Sequence, residues 1–408
     1  MALLQPLLGL ALFLGIALAL SSDRRSIRPA FVGLSLAAQA LLAVILLKLP
    51  FIADALLLLN KGVQVLQEAT DFAAVFMFGY LAGGDQPFEE VGNSFIIAFR
   101  VLPLILVVSA LSAVLFHWKV LPTIIRGLAM VLQRGLKLSG PLAFAAASSV
   151  FFGIIESPLL IRPYLQRMSR GEILALMSCG MATVAGTVMV LYASVVEPVM
   201  PGALGHILVA SVISVPAALM YSHVLIPTPP SDDEASVEAP SQDHNTMDAL
   251  MRGTKEGTSM VIDIAATIVV LFALVHMANR GLGLFPGEPT LQGLVGWGFR
   301  PLVWGMGIPS EDVAWCAELM GTKTVLNEFV AYLTLANAGG GPIAEESRTI
   351  LIYAMCGFAN FGSLGILVGG LGSLMPDRRG ELFGLGVRAM VAGTLATCTT
   401  GALASMLI

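Results

Sequence analysis

"CGFANFGSLGILVGGLG", Cys356 to Gly372, is apolar and long enough for a membrane-spanning helix, yet glycines, Asn360 and Ser363 run through its middle. Glycine loses the most backbone entropy in a helix, and Asn and Ser offer the backbone competing hydrogen bonds. Backbone freed at membrane depth is tolerated only where it is enclosed by protein or lines a cavity. A second stretch, "CGMATVAGTVMVLYA" (179–193), has the same character. Two interrupted spans are therefore expected, each lining a site.

The composition agrees with a membrane setting. Of 408 residues, 56% are hydrophobic and only 12% charged, against about 25% charged in a soluble domain. Apolar runs of span length predict helices near 2–21, 30–49, 94–117, 172–196, 204–226, 258–282, 349–373 and 384–408. The N-terminus reads as a retained first span, because it lacks a basic leader and "SSDRRSIR" follows it where a cleavage site would stand. Cys179, Cys316, Cys356 and Cys398 have no paired spacing, and the five histidines have no ligand spacing, so neither disulfide nor metal centre is expected.

Basic clusters set the orientation. "DRRSIR" (23–28), "RGLAMVLQRGLK" (126–137), "RPYLQRMSR" (162–170) and "DRRGE" (377–381) alternate consistently with eight spans if all four lie in the cytoplasm. The segments 83–93, 197–205 and 337–347 are acidic or neutral, which places both termini outside. Residues 53–82 mix polar and apolar side chains as an interfacial helix does. Residues 227–248 are rich in Pro, Ser and acid and read as a linker.

The two halves echo each other. Residues 138–166 and 292–336 read as re-entrant hairpins entering from opposite faces, each with a glutamate: Glu156 in "GIIESP" and Glu328 in "KTVLNEFVAY". Each precedes an interrupted span and a final span, and "AFRVLPLIL" (98–106) resembles "GWGFRPLVWG" (296–305). This is the order of an inverted repeat, whose paired broken helices bind solute near the midplane. The expected organisation is 1–117 as scaffold spans and interfacial helix, 118–226 as an amphipathic helix and the first repeat, and 227–257 as linker. Residues 258–408 then supply a scaffold span and the second repeat. The fold class is an all-α integral membrane protein: eight transmembrane helices, two re-entrant hairpins and an interfacial helix.

The sequence "GIIESP…RP", "NEFVAY" (327–332) and "CGFANFGSLGILVGGLGSLMPDRR" (356–379) resembles the concentrative nucleoside transporters in their shorter bacterial form. The resemblance implies ribose hydroxyls held by Glu328, Asn360 and Ser363, with Phe358 and Val188 nearby. A carboxylate accepts two hydroxyl protons, while Asn both donates and accepts. The family's first hairpin usually reads Gly-Gln-Thr/Ser-Glu. Here it reads Gly153-Ile154-Ile155-Glu156, so Ile154 and Ile155 pack on a base where the family hydrogen-bonds it.

For the coupling ion, the family's sodium-driven members use an Asn in the first hairpin, a hydroxyl in the fourth span and backbone carbonyls. The matching positions are Ser149, Thr183, Phe152 and Val184. Loss of the amide oxygen weakens a sodium site, and Asp263, an acid within the sixth span, is a candidate proton carrier. Proton and sodium both stay open, and no cofactor is implied. The resemblance further implies a homotrimer in a bacterial cytoplasmic membrane, with a nucleoside-like solute and the bilayer as partners and no nucleic acid.

Plainer roles stand beside these. Glu156 also suits a simple pairing with Arg162 or a backbone amide; Glu318 and Lys323, five apart, suit a structural pair; Ser149 and Thr183 suit helix packing; and Asp263 suits a solvated position near the membrane surface. The tryptophans 297, 304 and 315 read as packing or interface anchors. The leading function is a cation-coupled nucleoside importer. An intramembrane hydrolase using Glu156 and Glu328 as an acid–base pair, and a receptor that binds nucleosides without moving them, are the alternatives.

Overall fold

A computed structural model describes residues 3–87, 95–229 and 243–408. Most of the acidic linker and the end of the 83–93 segment lie outside the described residues. The described chain is helical. Its elements are α1 Leu4–Ala19, α2 Pro29–Lys48, α3 Pro50–Phe78, α4 Ile97–Arg100, α5 Pro103–His117, α6 Val120–Leu136 and α7 Gly140–Ser148. Next come α8 Glu156–Leu160, α9 Arg162–Leu165, α10 Arg170–Ala182, α11 Gly186–Val196 and α12 Ala203–Leu225. The second half has α13 Thr246–Leu282, α14 Leu291–Gly305, α15 Val313–Val325, α16 Glu328–Asn337, α17 Glu345–Met355, α18 Phe361–Leu374 and α19 Arg379–Leu407. Six helical segments among the described residues are long and apolar enough to cross a membrane, and α1 and α18 are shorter apolar helices.

Both interruptions fall where small and polar residues predicted them. α10 gives way to α11 through Thr183, whose backbone is extended (φ −117°, ψ 169°). α17 gives way to α18 through Cys356–Asn360, and Gly357 there has φ +153°, a conformation that L side chains rarely adopt. A Cβ on Gly357 would lie 2.9 Å from the Met181 carbonyl oxygen. The two breaks therefore meet, and the meeting requires a residue without a side chain.

Packing sorts the helices into two groups. α5 and α13 lie along each other, with Gly253 and Gly257 against the α5 backbone and side chains at Leu106, Ser109 and Ala110. α10, α12, α17 and α19 form the apolar centre. α1 and α2 belong to this second group: α2 packs on α12, and α1 packs on α19 and α14. The first two spans are therefore held closely against helices of both halves. The reason is visible at Gly9, where α1 meets Gly305 of α14 with no room for a Cβ, and at Gln5, whose Nε2 donates to the carbonyls of Trp304 and Ile308, both at 2.8 Å.

Two boundaries move. The linker ends earlier than 257, because Asn245 caps α13 through a bond from Asp248 N to its Oδ1 at 2.9 Å and helix runs from Thr246. The segment 292–336 is not two helices but three. In chain order, α5, α6, α7/α8 and α10/α11 correspond to α13, α14, α15/α16 and α17/α18. The second helix pair is thus 313–337, with α14 the counterpart of α6. The likeness of 98–106 to 296–305 consequently joins elements that occupy different places in the two halves.

Candidate functional site

Glu328 opens α16 directly after the extended Asn327, whose Oδ1 accepts from Val330 N at 2.9 Å and so caps the helix. Its side chain is 3% exposed. The Tyr192 hydroxyl on α11 donates to Oε1 at 2.5 Å, and Asn360 Nδ2 donates to Oε2 at 2.8 Å. Asn360 is itself the cap of α18, its Oδ1 accepting from Ser363 N at 2.7 Å. One carboxylate thus links α16, the second half of one broken helix and the restart of the other. Each oxygen has one protein donor and retains capacity for another.

Asn360 joins Glu328 directly, and Ser363 joins the cluster through its backbone N–H on Asn360 Oδ1. Phe358 is half-buried within the same break, and its carbonyl accepts from Asn360 N at 2.8 Å. Val188 is buried on α11, one turn before Tyr192. Tyr192 itself was not anticipated, although the i, i+4 spacing from Val188 places it on the same face. Phe329 and Tyr332 hold its ring, with centroids 6.0 and 5.4 Å away.

Lys323 is the second omission. It is 1% exposed on α15, and its Nζ donates to the Ala354 carbonyl at 3.0 Å, in the last turn of α17. Here an amine donor meets the carbonyl end of a helix. The expected pairing with Glu318 does not form: Glu318 is exposed while Lys323 is buried. Five residues turn a helix by about 140°, which places the two on different faces.

The tip between α7 and α8 is closed by serines. Ser148 Oγ and Ser157 Oγ are 2.6 Å apart, and Ser157 Oγ donates to the Ala145 carbonyl at 2.7 Å. Glu156 is exposed, and its carboxylate folds over Gly153, where any Cβ would strike it. Among the described residues it makes no ion pair with Arg162, while the backbone around Gly153 and Ile155 lies against its carboxylate, so the backbone-amide form of the simpler reading stands. Glu256 of α13 is near enough to act on it electrostatically. Ile154 is 8% exposed and packs on Gly180 of α10, while Ile155 packs on Gly370 of α18. Both isoleucines thereby fasten the tip to the broken helices.

The four residues implied for an ion converge at the same tip. Thr183 Oγ1 donates to the carbonyls of Ser149 and Cys179, each at 2.9 Å, and Gly186 N donates to the Phe151 carbonyl at 3.0 Å. Ser149 Oγ turns to the Ala146 carbonyl at 2.8 Å, and Val184 N donates to Ser211 Oγ at 3.2 Å. Phe152, in the same tip, is half-buried, and its ring meets that of Phe116 with centroids 5.5 Å apart. Asp263 is not among them: it is exposed on α13 and bonds to none of the four.

Known proteins share this arrangement of sequence and fold. The chain matches the family profiles of the Na+ dependent nucleoside transporter N-terminus over residues 8–81 and C-terminus over 206–405, and of the nucleoside-recognition gate over 98–199. It is 30% identical over 424 residues to the putative nucleoside permease NupX of Escherichia coli K12, covering 100% of this chain and 99% of that protein. It is 31% identical over 417 residues to the nucleoside permease NupC of Helicobacter pylori, covering 99% and 98%. The solved structure of CNTnw in an inward-facing substrate-bound state superposes with a TM-score of 0.90 at 33% identity, covering 100% of this chain and 98% of the other. Likeness that runs through both broken helices and from end to end makes this chain a member of the concentrative nucleoside transporter family.

Proposed function

We propose that the chain is a cation-coupled symporter that imports nucleosides or related ribosylated solutes by alternating access across a bacterial cytoplasmic membrane. The observation that carries this reading is the Tyr192–Glu328–Asn360 junction, a polar cluster buried where two interrupted helices meet. Its free acceptor capacity suits a vicinal pair of ribose hydroxyls, with Ser363 and Phe358 beside it. Ile155, at the edge of the opposite tip, offers a base only an apolar contact, so wide base tolerance is expected.

In this reading α5, α13 and α3 are the fixed frame, and the group packed around α12 and α19 moves with both tips as re-entrant hairpins. The Gly253–Gly257 contact supports a permanent α5–α13 pair. Homotrimeric assembly follows from the family resemblance, and outward termini from the cytoplasmic placement of the basic clusters.

For the coupling cation, the proton is favoured. Ser149 supplies no amide oxygen, and its hydroxyl and that of Thr183 are already turned to the carbonyls of Ala146 and of Ser149 and Cys179. Glu156, open at the tip beside Glu256, is then the better proton carrier than the distant Asp263. Sodium is the second reading, favoured by the family profiles' own description.

Uptake of radiolabelled nucleosides into proteoliposomes, under a proton gradient, a sodium gradient and neither, tests both levels. Accumulation driven by the proton gradient is expected, with loss in Glu328→Gln. Absence of uptake and of competition under every gradient would overturn the proposal.

A further inference from the structure

α6 carries a cationic face that solute transport leaves unexplained. Between Glu90 and Glu156 the sequence has no acidic residue, while Lys119, Arg126, Arg134 and Lys137 occupy or flank this one helix. All four are exposed, and among the described residues none has an ion pair or a side-chain hydrogen bond. At about 100° per residue they fall within an arc of roughly 80°. Val120, Ile124 and Val131, all exposed, form a second sector, and the buried Pro122, Ile125, Ala129 and Leu136 form the third. The helix therefore presents one face to protein, one to hydrocarbon and one, between them, that carries all four cations together with the exposed Thr123 and Met130.

Two observations separate this from a helix that merely rests at the surface. α14 holds the equivalent place in the second half with a single cation, Arg300, so the position in the fold does not demand a basic face. In addition, Lys119 and Lys137 both have left-handed backbones, with φ of 63° and 52°. Such helix ends favour glycine or asparagine, and lysine there costs about 1 kcal/mol. A lysine nonetheless stands at each end of the stripe. Beyond Lys137 a small cavity of about 30 Å³ is lined by Arg28, whose Nε is buried and has no partner, and by Glu172 and His223. Glu172 is already engaged by Ser139 Oγ at 2.6 Å and by Ser169 N at 2.9 Å.

We propose that α6 docks on anionic phospholipids, whose headgroup phosphates are taken by Lys119, Arg126, Arg134 and Lys137 while Val120, Ile124 and Val131 enter the acyl region. Anionic lipid attracts each surface cation by about 1 kcal/mol, on the order of fivefold per charge engaged. Since α6 leads through Leu138 and Ser139 into α7, the lipid anchors the root of the first tip.

Trp118, 59% exposed beside the stripe, reports on this contact independently of transport. The full chain is reconstituted in phosphatidylcholine vesicles containing brominated phosphatidylglycerol or, at the same fraction, brominated phosphatidylcholine. Subtracting the Trp118→Phe variant isolates the Trp118 quenching. Severalfold stronger quenching by phosphatidylglycerol is expected, shrinking in high salt and abolished in the K119Q/R126Q/R134Q/K137Q variant. The R126Q/R134Q variant, which keeps both helix-ending lysines, is expected to lose about half the preference on a logarithmic scale and serves if the quadruple variant does not fold. Equal quenching by the two lipids, or an undiminished preference in either variant, overturns the proposal.

Discussion

The Tyr192 hydroxyl donates a 2.5 Å hydrogen bond to Glu328 across 136 positions of sequence. Removing it leaves Oε1 buried without a protein donor, a loss of about 1–3 kcal/mol. Tyr192→Phe keeps the ring between Phe329 and Tyr332, so the fold should persist. Nucleoside KM should rise on the order of tenfold, with little change in expression. An unchanged KM in vesicle uptake would remove Tyr192 from the site.

Asn360 has two tasks that substitution can separate. Asn360→Ser retains a cap for α18 but loses the bond to Glu328. Asn360→Ala loses both, and the cap alone is worth about 0.5–2 kcal/mol. Serine should therefore cost solute affinity with a small change in thermal midpoint, and alanine should cost both. Equal thermal shifts for the two variants would show that the Asn360 Oδ1 bond to Ser363 N contributes nothing.

Ser149 sits where the family's sodium-driven members place an amide oxygen. Ser149→Asn should increase the sodium dependence of uptake. The assay is uptake at fixed pH with sodium or choline as the external cation. A variant as indifferent to sodium as the parent would argue that the Thr183–Ser149 contact is structural.

Outside the membrane, Arg252 holds the Asp243 carboxyl below the ordinary carboxylate range, chiefly through a hydrogen bond at 2.7 Å. A depressed value means this contribution is complete above the unfolded carboxylate value, near 3.9, and is lost as pH falls through the lower folded value. Amide exchange over 244–252 should be protected at pH 7 and rise only below about pH 4. Asp243→Asn should raise it at pH 7. Exchange in that variant matching the parent's at pH 7 would dismiss the pair as a clamp on the start of α13.

Much of this site is legible in local sequence, because its chemistry is local. Gly357, Asn360 and Thr183 interrupt helices by their own backbone preferences, and "NEFVAY" carries its cap and its carboxylate side by side. Tyr192 is not legible in that way, since its partner comes from another helix and a tyrosine in an apolar run looks like any packed aromatic. Lys323 misleads for a related reason: the pairing with Glu318 counts residues along the chain, while burial turns the lysine inward to Ala354. Residues 246–257 look like linker because they are polar. They are helix because Asn245 caps them and Gly253 and Gly257 fit α5.

Gly357 gives the sharpest test of the crossing. Alanine there must adopt φ +153° and place its Cβ 2.9 Å from the Met181 carbonyl oxygen and 3.0 Å from the Thr397 methyl. Both neighbours belong to packed helices and cannot swing aside as a flexible side chain would. Backbone strain of this kind costs about 1–3 kcal/mol, so Gly357→Ala should lower the thermal midpoint by several degrees. It should also weaken nucleoside binding, because the displaced break carries Asn360 away from Glu328. Gly365, in open space on α18, is the control: Gly365→Ala adds the same methyl without the clash and should leave nucleoside binding unchanged and the thermal midpoint unchanged or slightly raised, since alanine favours the helix interior. Equal effects of the two substitutions would mean that the breaks do not depend on the close approach of Gly357 to Met181.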